Sequence, residues 1–248
     1  MKKLFMFLAV FGILTISANN LLAQESAGTA TEQVAESVPM HQQLKMQFID
    51  GGPEFMTAIV LCLILGLALV IERVIYLNLA TTNTKRLLAE VEEALANGGP
   101  EAAKEVCRNT RGPVASIFYQ GLDRASEGID MVEKSVVSYG SVQMGLLEKN
   151  LSWISLFIAI APSLGFLGTV IGMVIAFDDI QKAGDISPNV VAGGMKVALI
   201  TTVAGLIVAI ILQLFYNYLL TKIESLVNSM EDASISLVDL LVKYNIKK

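Results

Sequence analysis

The sequence predicts an all-α membrane protein in which three transmembrane helices extend into a cytoplasmic helical bundle. Three observations carry that prediction. Apolar residues make up 54% of the 248 and charged residues only 17%, the balance of a membrane protein. Phe55–Ile71, Leu151–Phe177 and Val197–Thr221 contain no charged residue, and runs of about 20 such residues are long enough to cross a bilayer as helices. Positive charge is also unevenly placed, with eight Lys and Arg between Lys85 and Lys149 but Lys182 alone in the link between the later helices. The tail adds Lys222, Lys243, Lys247 and Lys248. The positive-inside rule then puts the insert and tail in the cytoplasm, with the amino end and the short link outside.

In chain order, residues 1–23 carry Lys2 and Lys3 before an apolar core that ends at Leu21-Leu22-Ala23. This pattern reads as a signal peptide cut after Ala23 or as a retained anchor. Residues 24–53 begin as a polar linker to Pro39, followed by Met40, Leu44 and Phe48 every four residues. That spacing predicts a short amphipathic helix on the outer membrane face, ending at Gly51-Gly52-Pro53. His41 reads there as a solvated surface residue rather than a proton relay. The first spanning helix covers 54–80, with Glu72 and Arg73 near its cytoplasmic end as an interfacial pair snorkelling to water or phosphate.

The insert, 81–150, reads as helical. Thr84 is expected to cap a helix running to Asn97-Gly98-Gly99, Pro100 suits the first turn of the next, and Arg111-Gly112-Pro113 breaks the chain again. No proline follows Ser126 until Pro162, which predicts one long helix from cytoplasm into membrane. Val132, Val136, Tyr139, Val142, Leu146 and Leu147 give it an apolar face for a bundle or a subunit seam. The second spanning helix covers 151–177, where Pro162 is expected to kink or loosen it. A link at 178–189 turns the chain, the third spanning helix covers 190–220, and an amphipathic extension through Ile223, Leu226, Val227, Met230, Leu237, Val238 and Leu241 fills 221–248.

Two stripes of small residues stand out. Gly165, Thr169, Gly172 and Ala176 are spaced by four, three and four, and Ala198, Thr202, Gly205 and Ala209 repeat that spacing, so each set shares one helical face. Such stripes let helices approach closely in lipid, and a threonine within one can bond across the interface. Plain helix–helix packing is the better reading of the stripes alone and a tight polar path the sharper one, and composition cannot separate them. Cys62 and Cys107 fall in different phases and are expected to stay reduced. His41 is the only histidine, so no His/Cys metal set is available. Nor is there a basic tract for nucleic acid, a Gly-rich phosphate loop or a Ser/His/Asp set.

The run Ala161–Met173, A-P-x-L-G-x-L-G-T-V-x-G-M, resembles the second membrane helix of the MotA/TolQ/ExbB proton-channel family. Gly193–Leu206 resembles its third helix, with G-x-x-x-A-L-x-x-T-x-x-G-L. The likeness runs from about Glu54 onward and is closest to the ExbB branch. It implies no enzyme and no cofactor, but an inner-membrane homo-pentamer around a one-helix ExbD-like partner, working with a TonB-like protein on the proton-motive force. By the same resemblance, Thr169, Thr202, Thr201 and Val197 line the ion path, and Gly165, Gly168, Gly172, Ala176, Ala198, Gly205 and Ala209 pack the helices. Many ExbB-like proteins have a glutamate where Val197 stands. A charge at membrane depth is costly and needs a reason, and here neither pore-helix stretch contains a carboxylate. The titrating acid is therefore expected from the partner, with H+ as the transported ion. Lys196 reads as a snorkelling lysine or as an outer-mouth charge. A non-conducting membrane scaffold, and a TolQ- or MotA-like stator, are the competing readings.

Overall fold

The computed structural model describes residues 40–184 and 187–246. Leu44–Lys248 forms one compact unit, and of the preceding unit only the start of a helix at Met40 is described. The expected signal peptide or anchor, the polar linker and part of the link after Gly184 lie outside the described residues, as does the side chain of His41. Every regular element among the described residues is helical: α1 Met40–Asp50, α2 Pro53–Ala80, α3 Thr84–Asn109, α4 Pro113–Asp123, α5 Ile129–Leu147, α6 Leu151–Ala183 and α7 Pro188–Ile246. A short 3-10 turn, Ala125–Glu127, joins α4 to α5.

Three of these helices are long and apolar enough to cross a membrane. Gly52, with φ 78°, turns the chain between α1 and α2, and Pro53 opens α2 where its missing N–H costs nothing. Helix α7 has 59 residues, about 88 Å at 1.5 Å per residue. That is nearly three hydrocarbon thicknesses, so its second half projects beyond the bilayer. There Ile223, Leu226, Met230, Leu237 and Leu241 are buried, as their spacing predicts. Phe118, Ile117 and Leu122 of α4 fill the bundle they enter, against Val132 and Val136 of α5.

Several boundaries differ from the sequence expectation. The cap of α3 is Asn83, whose side chain accepts from the Arg86 N–H at 3.2 Å, so Thr84 is already inside the helix. Gly99 (φ 71°, ψ −166°) does interrupt α3, with Pro100 opening the second half. The single helix expected from Ser126 is instead two. Gly128 (φ 106°) precedes α5, and Asn150, left-handed at φ 67°, separates α5 from α6. Asparagine tolerates that conformation better than other side-chain-bearing residues. On α5 the buried row is Val132, Val136, Gln143 and Leu147, whereas Val142 and Leu146 face outward. They sit one position off the i, i+3/i+4 register that the others share. Helix α6 continues through Pro162 from Leu151 to Ala183.

Candidate ion path

Helices α6 and α7 run antiparallel and share the most extensive helix–helix contact in the chain. Backbones touch because glycines leave room. A Cβ placed on Gly205 would lie 2.5 Å from the Ala161 carbonyl oxygen, and one on Gly172 would lie 2.7 Å from that of Gly194. At Gly165 a Cβ would meet the Thr201 carbonyl oxygen at 2.9 Å, and at Gly168 the Thr201 hydroxyl at 2.5 Å. Ala176, Ala198 and Ala209 are buried in the chain as well. Sequence reasoning missed Gly194, where a Cβ would meet the Ala176 methyl at 2.8 Å. The signal was available, because Gly194 stands four residues before Ala198 on the same face.

The threonines divide into two kinds. Thr201 is 0% exposed, fills the space opposite Gly168, and donates back to the carbonyls of Val197 and Ala198 at 3.1 and 3.0 Å. It has no surface to offer a path. Thr169 and Thr202 sit half-buried at the seam's edge, with their hydroxyls in direct contact. Thr169 Oγ1 reaches the carbonyls of Gly165 and Ala198, both at 3.2 Å. Thr202 Oγ1 reaches the same two oxygens at 3.3 and 3.1 Å. Each hydroxyl carries one proton and two lone pairs. Two protons therefore serve this cluster of four oxygens, and acceptor capacity is left over.

Val197 lies elsewhere, 3.6 Å from the position of a Cβ on Gly52, and Ile200 packs against Gly51. At about 100° per residue, Thr202 is about 140° to 160° round α7 from these two. The hydroxyl pair consequently opens on the side of the seam turned away from the α1–α2 joint. Val197 does not join it.

Two charged groups found partners that the sequence did not disclose. Lys196 Nζ lies 2.6 Å from Asp50 Oδ2, which ties the amino-terminal part of α7 to α1. Arg73 is 3% exposed rather than snorkelling. It pairs with Glu72 at 2.5 and 2.7 Å, donates to the Leu146 carbonyl at 3.3 Å, and stacks 4.5 Å over the Tyr76 ring. Asn150, at the α5–α6 break, donates to Glu72 at 3.3 Å. The inner end of the first spanning helix is thereby fixed to the point where the bundle meets the second. No group of His, Cys, Asp and Glu that could hold a metal exists among the described residues.

Residues 109–232 match the model of the MotA/TolQ/ExbB proton channel family, half of the 248-residue chain and the whole of the α6–α7 seam. The chain belongs to the MotA/TolQ/ExbB family. Among curated relatives it is 31% identical to a putative biopolymer transport protein ExbB homolog of Methanothermobacter thermautotrophicus, over 68% of this chain and 60% of that protein. It is 30% identical to the putative biopolymer transport protein ExbB-like 3 of Synechocystis, over 62% of this chain and 74% of that one. The biopolymer transport protein exbB1 of Vibrio cholerae is 26% identical over 75% of this chain and 85% of its own. These relatives place the family member on the ExbB branch, a multi-pass membrane protein of channel type.

Proposed function

We propose that this chain is the ring-forming subunit of an inner-membrane complex that turns the proton-motive force into work on a TonB-like protein. In this reading several copies, five by family resemblance, surround a one-helix partner of ExbD type. The partner's intramembrane aspartate docks against Thr169 and Thr202. The amino end faces the periplasm and the carboxyl end the cytoplasm, a placement that the lysine and arginine distribution supports.

The observation that carries the reading is the acceptor-rich hydroxyl pair at the open edge of the α6–α7 seam, with no acid of its own. A protonated carboxyl needs an acceptor for its one proton, and an ionised carboxylate needs a donor. Two adjacent threonine hydroxyls can offer either by rotating, without moving the backbone. In a low-dielectric setting such bonds are stronger than in water. The chain thus supplies the receiving half of a proton relay and depends on a second polypeptide for the titrating half. The energy is adequate, since one charge crossing 100 mV releases about 2.3 kcal/mol before the pH gradient is counted.

The test is proton flux through the co-reconstituted complex with Thr169→Ala and Thr202→Ala. Both are expected to lower flux by about tenfold or more. Unchanged flux in both variants refutes the lining role, and assembly without any flux in the wild-type complex favours the scaffold reading.

A further inference from the structure

We propose that the open cavity at the cytoplasmic foot of α2 binds the phosphate headgroup of an anionic membrane lipid. The cavity, about 450 Å³, lies where the α2–α3 turn meets the α3–α4 turn, and Arg86 and Arg111 line it together with Leu79, Asn83 and Glu90. Arg86 shares one edge with Glu90 at 2.7 Å, which leaves its remaining nitrogens unassigned. Arg111 enters no ion pair among the described residues. Two guanidiniums against one carboxylate give the site net positive charge. Their planar forks match phosphate oxygens two at a time. The hydroxyls on the wall are already committed: Thr81 donates to Leu77 and Thr110 to Val106, both at 2.9 Å. Asn83 closes the end of α3 itself, so the arginines, not a helix terminus, are what an anion would meet.

Depth decides between a lipid and a free anion. From Pro53 to Arg73, α2 advances about 30 Å, one hydrocarbon thickness. Arg73 and Glu72 therefore lie near the inner edge of the apolar layer, and the cavity lies in the headgroup layer below it. Beyond them Ile75 and Leu79 are 56% and 65% exposed, and they carry an apolar strip down the outside of α2 to the cavity rim. A lipid packed beside α2, its glycerol region against that strip, presents its phosphate at the arginines. Anionic lipids concentrate basic groups at this depth, and the bilayer holds the headgroup at a local concentration that dissolved phosphate does not reach.

The full-length protein, purified in a neutral detergent, is offered phosphatidylglycerol or phosphatidylcholine at equal concentration and read by native mass spectrometry. The wild type is expected to retain phosphatidylglycerol in preference. Arg86→Gln combined with Arg111→Gln is expected to cut that preference by about tenfold. Arg124→Gln, which removes an exposed arginine away from the cavity, is expected to leave it unchanged. Glu90→Gln, which removes the competing acid, is expected to raise retention, and it decides the matter should the double variant fail to fold. The proposal is overturned if the folded double variant or Glu90→Gln behaves as wild type, if phosphatidylcholine is held equally well, or if millimolar inorganic phosphate displaces the lipid.

Discussion

At the hydroxyl pair the decisive quantity is the number of protons. Thr169 and Thr202 bring two, and the carbonyls of Gly165 and Ala198 bring none. Replacing Thr202 by Val keeps the shape and removes one proton and two lone pairs. Because the site is half-buried and its carbonyls keep their helical bonds, the fold is expected to lose only about 1 kcal/mol. Flux should fall far more than melting temperature, and comparing the two separates a path residue from a packing residue. Arg73 is the opposite case. Glu72→Gln leaves a buried guanidinium without its counter-charge, at a cost on the order of 2 kcal/mol. That is below the roughly 3–5 kcal/mol of a fully enclosed pair, because Glu72 keeps about half its surface in solvent. A melting curve in detergent measures it. In the helical bundle, burial pushes the Cys107 thiol from 9.0 up to about 12. Its folded pKa is raised, so the stability it contributes is whole below pH 9 and is lost as the pH climbs toward 12. A thiol reagent at pH 8.5 is expected to label it only after unfolding; rapid labelling of the folded protein would contradict this burial.

The helices can be judged by where a side chain would and would not fit. Gly205→Val drives a branched group into the Ala161 carbonyl, and backbone on the far side cannot rotate away. A loss of at least about 3 kcal/mol follows. Gly193→Ala meets nothing within 4 Å and is expected to be neutral or to stabilise by up to about 1 kcal/mol. Thermal unfolding of the two variants side by side tests the seam. At this scale much of the sequence was readable from spacing, although on α5 the apolar positions Val142 and Leu146 proved to face outward. The small-residue stripes, the three apolar runs and the buried row of α7 follow from spacing, and the break at Gly99 from the glycine–proline pair it forms with Pro100. What spacing could not show was which edge of a stripe faces a neighbour: Thr201 and Gly168 hold the centre, Thr169 and Thr202 the rim. It also missed Asn150, since one left-handed residue changes no pattern, and it could not pair Lys196 with Asp50 or Arg73 with the Leu146 carbonyl across such sequence distances.

Among the described helices, α7 passes unbroken from the membrane-spanning stretch to the end of the helical bundle, whereas the path from α5 into α6 is interrupted at Asn150 and braced there by Glu72 and Arg73. One unbroken helix therefore connects the hydroxyl pair to the helical bundle. All of this depends on the chain receiving an acid rather than owning one, and a single measurement addresses that directly. The chain is reconstituted into liposomes with and without a one-helix partner carrying an intramembrane aspartate, and proton uptake is followed under an imposed potential. Flux is expected only with the partner present, and flux through the chain alone would contradict the receiving role of the hydroxyl pair.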